Sequence, residues 1–278
     1  MMVKFWGVRG SIPVCGRQFL KYGGSTSCVE IIDSSGNNII VDSGTGIKNL
    51  GKKMIKEKVK RINMLFTHQH WDHVLGFPFF APIYQNVEIK VMGGSYSTDE
   101  AREIIAKTMQ PPGFPVKFEE IEAKFSFAPV CKEGCKIGEI KIFPIEISHP
   151  NGGLGYRFEK KGVKFVFLTD NELGYFHQGA ASYEEYVSFC QGADLLVHDA
   201  DYTPDEYEKR KTWGHSTWEM ALKLAEDSQV KSLGLFHHNQ ERSDEQVDKI
   251  VSLCNKKKRK KSLNIFACAE GMSHKLNV

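Results

Sequence analysis

The sequence reads as a layered α/β fold in which helices cover the outer faces of β-sheets, and two observations carry that expectation. The first is a short apolar, β-branched-rich run that stops abruptly at Asp or His. It recurs as IIVD ending at Asp42, INMLFTH at His68, IEISH at His149, FVFLTD at Asp170, LLVHD at His198 and Asp199, and LGLFHH at His237 and His238. Near-continuous apolar runs mark strands buried on both faces, and polar residues at the carboxyl ends of such strands are where open α/β sheets build their sites. The six strand ends are expected to converge on one cleft. The second observation is that amphipathic helical patterns lie between these runs in the second half of the chain.

In chain order, Lys4–Val8, Cys28–Asp33 and Asn38–Asp42 read as strands. The turn-like GGSTS and SSGNN between them predict an antiparallel meander before a first helix near Ile47–Lys56. Residues 93–135 break the rhythm with a helix around Ser97–Met109, then QPPGFP and a more polar stretch. That segment reads as an insertion near the cleft mouth, of the kind that shapes substrate access. Further on, Ser216 with Glu219 forms a capping-box signature ahead of Trp218, Ala221, Leu222 and Ala225 at helical spacing. Ser243 with Gln246 repeats the device ahead of Val247, Ile250, Val251 and Cys254.

The chain has 278 residues, 41% hydrophobic and 26% charged, which suits one large domain over residues 1–278 and excludes general disorder. With 37 Lys and Arg against 34 Asp and Glu, the net charge of +3 names no partner. No apolar run approaches the roughly 20 residues that span a bilayer, and MMVKFWGVRGSIPV has no leader pattern, so a cytoplasmic protein without a membrane partner is expected. Seven cysteines, an odd number with only Cys131 and Cys135 close together, fit reduced thiols better than a disulfide framework.

The sharpest chemical signal is Thr67-His68-Gln69-His70-Trp71-Asp72-His73, directly after a predicted buried strand. Imidazoles and a carboxylate suit borderline divalent ions such as zinc. Four such groups within six residues are too many for a single tetrahedral ion to use from one loop, so two ions sharing the loop is the natural solution. Of the adjacent pair His237 and His238, only one can face the cleft from an extended strand. His177 and His274 have no such context and read as packing or surface residues.

HQHWDH, continued as VLGFP, resembles the metallo-β-lactamase superfamily signature H-x-H-x-D-H. Flanking elements resemble the family's other motifs in order: Asp42 in VDSGTG, His149, Asp170 and His237. The resemblance spans residues 3–240 and implies the family's four-layer αββα sandwich. It also implies a ligand set, with His68, His70 and His149 on one ion, Asp72, His73 and His237 on the other, and Asp170 bridging. Asp42 would orient a ligand histidine without touching metal. The ions would be zinc, with manganese or iron as alternatives.

LLVHDA at 195–200 and Gly214-His215-Ser216-Thr217 are similar to the HEA and HST segments of the RNase Z branch of phosphodiesterases, where an acid and a histidine deliver a proton. That similarity makes Asp199 and His215 catalytic candidates beside Asp72, although Asp199 stands one methylene short of the family's Glu. His198, on the opposite side of its strand, reads as a core histidine. FWGVRGSIPV followed by KYGGSTSCVEI resembles the glycine-rich opening of the same branch, with Arg9 as a phosphate contact or a solvated cation. KKKRKK at Lys256–Lys261 reads first as a solvated helix end and second as an RNA patch.

The leaving group separates the possible reactions. A thioester expels a thiolate, whereas a phosphodiester expels an alkoxide that benefits from protonation as it departs. An Asp–His proton donor therefore favours a phosphodiesterase acting on a small cyclic or nucleotide phosphodiester. The runner-up is an RNase Z-like endonuclease trimming tRNA 3′ ends. From other classes there remain a thioesterase or lactonase, and a non-catalytic nucleic-acid-binding protein, which is disfavoured because structural zinc sites are closed by four ligands. Substrate and oligomeric state are left open, with a homodimer among the options.

Overall fold

Apolar side chains at alternate positions of each strand divide between an inner and an outer core, and that division builds the layers. A computed structural model describes residues 1–277. Its strands are β1 (Met2–Gly7), β2 (Cys28–Ile32), β3 (Asn38–Val41), β4 (Arg61–Phe66), β5 (Glu88–Gly93), β6 (Lys124–Phe127), β7 (Cys135–Ile137), β8 (Ile140–Glu146), β9 (Leu154–Lys160), β10 (Val163–Leu168), β11 (Leu195–Asp199), β12 (Ser232–Phe236), β13 (Asn264–Ala267) and β14 (Ser273–Lys275). They form two seven-stranded sheets, ordered β14-β1-β2-β3-β4-β5-β6 and β13-β12-β11-β10-β9-β8-β7.

Val3, Phe5, Ile31, Ile39 and Val41 of the first sheet share one core with Ile142, Tyr156, Phe165, Phe167 and Val197 of the second. Their neighbours along the strands point outward, Ile40 and Met64 on one side and Val166, Leu168 and Leu196 on the other. The helices are α1 (Ile47–Lys56), α2 (Trp71–Val74), α3 (Thr98–Ala106), α4 (Tyr183–Cys190), α5 (Pro204–Tyr207), α6 (Trp218–Asp227) and α7 (Asp244–Lys257). α1 and α3 cover the outer face of the first sheet, and α4, α6 and α7 cover that of the second. The result is the expected αββα sandwich. Full burial of Phe165 or Phe167 contributes roughly 1.5–3 kcal/mol each, so the inter-sheet core gives the fold a reserve from which buried charges at its edge can be held.

The predicted meander holds, with β1–β2 and β2–β3 antiparallel and α1 spanning Ile47–Lys56. β3 and β4 are parallel, as are β10, β11 and β12. β8 reaches the same direction as β10 through two antiparallel pairings with β9. All six apolar runs therefore deliver their polar ends to one edge. Three of those ends, Asp42, Asp170 and His237, leave their strands with φ of 63°, 53° and 56°, the left-handed region that non-glycine residues adopt at a cost and that concentrates at functional sites.

Two local expectations differ from the structure. Residues 93–135, read as an insertion, hold α3 and then β6, and β6 pairs parallel to β5, so this stretch supplies the edge of the first sheet while Gly94, Ser95, Tyr96 and Glu100 line the cleft. The cap of α6 is Thr217, which accepts from the Met220 N–H. Ser216 is diverted, donating its hydroxyl to the Asn171 carbonyl and its N–H to Asp199. Ser243 does cap α7, in a reciprocal pair with Gln246. All seven cysteines are free thiols, and Cys131 and Cys135 flank a turn closed by the Gly134 N–H on the Cys131 carbonyl. Among the described residues, no helix is long and apolar enough to cross a membrane.

Candidate metal centre

Asp42, at the end of β3, organises the loop that follows β4. Its Oδ1 accepts from the Thr67 N–H at 2.8 Å, and its Oδ2 lies 2.8 Å from His73 Nδ1. The Thr67 hydroxyl reaches both Asp42 and His68 Nδ1, the latter at 3.1 Å. The one-turn helix α2 then places Asp72 and His73 on its buried side. Asp42 thus steers two imidazoles from one carboxylate.

The rings of His68, His70 and His149 form a triangle with centroids 4.6–4.7 Å apart. His70 Nδ1 and His149 Nε2 face each other at 2.9 Å. Beside this triangle, His73 Nε2 lies 3.3 Å from Asp72 and 3.2 Å from Asp170. His237 Nε2 lies 3.0 and 3.3 Å from the same two carboxylates. Asp170 also comes within 3.8 Å of His68 Nε2, which places it between the two groups. Within each group the potential ligand atoms lie within 4.8 Å of one another.

These donors fit divalent metal ions. The outward nitrogens are engaged, His73 Nδ1 by Asp42, His149 Nδ1 by the Gly214 carbonyl and His237 Nδ1 by Asp201, so each ring turns its Nε2 inward. His68 Nε2 and His73 Nε2 are buried without an aligned hydrogen-bond partner. For His73 this holds although carboxylate oxygens of Asp72 and Asp170 lie 3.3 and 3.2 Å away. Without an ion, protons balance the buried carboxylates: burial disfavours the imidazolium, but the surrounding carboxylates, Asp170 foremost, push His73 and His237 well above the usual imidazole range, and a bound cation would displace those protons. Burial opposes charge on Asp72 and Asp170, yet the neighbouring His73 and His237 hold both carboxyls well below their usual range. Burial drives His149 in the other direction, down to about 3, leaving a neutral imidazole suited to ligation.

His215 joins this cluster from the loop after α5, its ring stacked on that of His237 at 4.7 Å. Its Nδ1 lies 3.1 Å from Asp199 Oδ2. Burial disfavours the imidazolium, but Asp199 outweighs it and the pKa is pushed up to about 9. The missing methylene of Asp199 is recovered by the backbone, since the same oxygen also accepts from the Ser216 N–H at 3.1 Å and draws the loop in. The His215 side chain is 11% exposed, and with Nδ1 committed to Asp199 its Nε2 is the nitrogen open to a ligand.

Other sequence candidates lie elsewhere. His198 is buried between the Asp199 carbonyl and Asn171. His238 points away, to the Cys268 carbonyl, and His274 stacks on Phe266. Arg9 is neither solvated nor aimed at the cleft: it is fully buried and donates to the carbonyls of Gly23, Asn239 and Arg242. In the basic run, Lys257 pairs with Glu219, and Arg259 with Glu226 and Asp227. The sequence reading missed Asp201, which is buried 3.2 Å from His237 Nδ1 and held by Asn239. Its only local signal was its place two residues beyond Asp199.

A cleft of about 440 Å³ opens over His68 and His70, walled by Tyr96, Glu100, Glu146 and residues 150–154, with no Lys or Arg in its lining.

A family model described as a beta-lactamase superfamily domain matches residues 37–238. A ribonuclease Z of Haloarcula marismortui is 25% identical over 284 residues, covering 85% of this chain and 86% of that protein. One of Clostridium tetani is 25% identical over 262 residues, covering 74% and 81%. Among solved structures, the metallo-beta-lactamase fold protein YhfI from Bacillus subtilis superposes with a TM-score of 0.69 at 17% identity, covering 99% of both chains. A diphosphatase from the PhnP family gives 0.68 at 16% over 100% and 98%, and the short form of human tRNase Z gives 0.65 at 19% over 100% of both. At these identities the solved structures speak for the fold.

Proposed function

Because the chain belongs to the beta-lactamase superfamily, as a metal-dependent hydrolase of its RNase Z and phosphodiesterase-like branch, we propose that it hydrolyses a small cyclic or nucleotide phosphodiester with two divalent ions. His68, His70 and His149 would hold one ion, Asp72, His73 and His237 the other, and Asp170 both. Bound there, the ions would supply Lewis acidity toward phosphate oxygens and a lowered pKa for water, zinc being suited to this donor set.

The observation that carries the reading is the contact between Asp199 and His215 beside these ligands. Asp199 holds Nδ1 of the imidazolium and leaves Nε2–H to protonate the departing alkoxide. Asp72, which accepts from the Ser11 N–H at 2.9 Å and faces both His73 and His237, would orient the attacking water. Asp42 and Asp201 fix the ring orientations of His73 and His237.

The cleft lining supports a small substrate over a long polyanion, since it offers Glu100 and Glu146, and the neighbouring Lys132 is already paired with Glu146 at 3.4 Å. An RNase Z-like endonuclease remains the second reading, favoured by the ribonuclease Z relatives that align along most of the chain. The test is a screen of metal-loaded protein against bis-p-nitrophenyl phosphate, cyclic nucleotides, a pre-tRNA and a thioester. Turnover of small phosphodiesters is expected. Cleavage of the pre-tRNA alone would establish the second reading, and turnover of the thioester alone would refute both.

A further inference from the structure

Two residues after Asp170 lies a carboxylate that the proposed chemistry does not use. Glu172 is fully buried. Its Oε1 accepts from the Tyr207 hydroxyl at 2.8 Å and the Thr212 N–H at 2.7 Å. Its Oε2 accepts from the Gly214 N–H at 2.8 Å and lies 2.9 Å from His177 Nε2. The two backbone donors come from a loop whose Thr212 and Gly214 have φ of 78° and 91°, a conformation that a threonine holds only under outside constraint.

That loop is the support of two site residues. The Gly214 carbonyl accepts from His149 Nδ1 at 2.9 Å, and the next residue is His215. Gly214 also packs so closely that a Cβ there would fall 1.9 Å from His149 Nδ1. We propose that Glu172 is a positioning residue: by pinning the Thr212–Gly214 backbone it fixes the Nδ1–H tautomer of His149, freeing Nε2 for metal, and sets His215 within reach of Asp199. Glu172 grips the head of the segment and Asp199 its tail, through the His215 ring and the Ser216 N–H. The proposal rests on the reading of His149 as a ligand.

A carboxylate is required because each oxygen faces a backbone N–H. In Glu172→Gln the amide NH₂ must confront either Thr212 or Gly214, whichever way it is turned. Loss of such an outer partner typically costs a ligand site about 10–100-fold in affinity. Zinc binding is measured by chelator competition in the wild type, Glu172→Gln, Tyr207→Phe and His149→Ala. Glu172→Gln should weaken one ion by about 10–100-fold and leave the other unchanged, Tyr207→Phe should lower thermal stability without changing either affinity, and His149→Ala should lose an ion outright. Nitrogen-15 spectra of the metal-free protein should show the His149 Nδ1–H tautomer in the wild type and its loss in Glu172→Gln.

Unchanged affinities together with an unchanged tautomer would overturn the role of Glu172. Retention of both ions by His149→Ala would instead overturn the ligand reading, while the tautomer still decides Glu172. Should Glu172→Gln fail to fold, hydrogen exchange in the unmodified protein decides: the Thr212 and Gly214 amides should be protected, and free exchange would overturn the proposal.

Discussion

Replacing His215 by alanine separates proton delivery from metal support. The ring lies 4.7 Å from that of His237 and 5.5 Å from that of His149 but donates to neither. Its hydrogen bond goes to Asp199, which the Ser216 and Asp201 N–H groups also hold. Removing the ring therefore deletes a proton donor and leaves the proposed ligands with their own partners. A positioned acid contributes about 10²–10⁴ in rate, or roughly 2.7–5.4 kcal/mol at about 1.36 kcal/mol per decade. That loss is expected in kcat for an alkyl phosphodiester, whose alkoxide must be protonated as it leaves. It should nearly vanish for bis-p-nitrophenyl phosphate, whose phenolate departs without a proton. Steady-state kinetics on both substrates, with metal content measured on the same preparations, is the assay. Asp199→Asn should show the same dependence in milder form. Equal losses on both substrates would mean that His215 binds the phosphate or props the metal ligands, and the inference from leaving group to phosphodiester would fail.

Elemental analysis of protein purified without chelators should give about two ions per chain, as the two-metal arrangement requires; His68→Ala and Asp170→Ala should lower that number and His274→Ala should not. Asp201→Asn, which weakens the hold on His237 Nδ1, should reduce the affinity of one ion by about 10–100-fold; wild-type affinity would remove Asp201 from the site. Neutralising Lys256–Lys261 should weaken RNA binding similarly across sequences and flatten its salt dependence without changing turnover of a small phosphodiester. Selective loss of pre-tRNA cleavage in that variant would make the run a docking site.

The strand ends were legible because an apolar run broken by Asp or His is a local pattern, and the loop at 67–73 because its donors are crowded into seven residues. The resemblance added the spacing of His149, Asp170 and His237, which no local rule joins. What escaped were contacts made across the fold. Asp201 meets His237 from 36 positions away, and Glu172 collects donors up to 42 positions off. Arg9 carried no sign that its guanidinium would be spent on carbonyls more than 200 residues distant. Ser216 looked like a cap from its spacing to Glu219, but Asn171 and Asp199 claim its hydroxyl and N–H, and the helix starts one residue later. β6 was hidden because KFSF at a sheet edge alternates only weakly between half-buried and exposed positions.

His68, His70, Asp72 and His73 follow a strand of the first sheet, whereas His149, Asp170 and His237 follow strands of the second. Any ion held by both sets fastens the two halves of the sandwich at their rim, as a rivet does, and the mechanical integrity of the molecule becomes linked to its chemistry. A ligand present at 100 times its dissociation constant stabilises the state that binds it by about 2.7 kcal/mol, comparable with burying one large apolar side chain. Chelation should thus loosen the seam between the sheets before it disturbs either helical layer, with amide exchange rising first at the ends of β4, β8, β10 and β12. A chain so riveted would, stripped of its ions, be open to proteolysis as well as inactive.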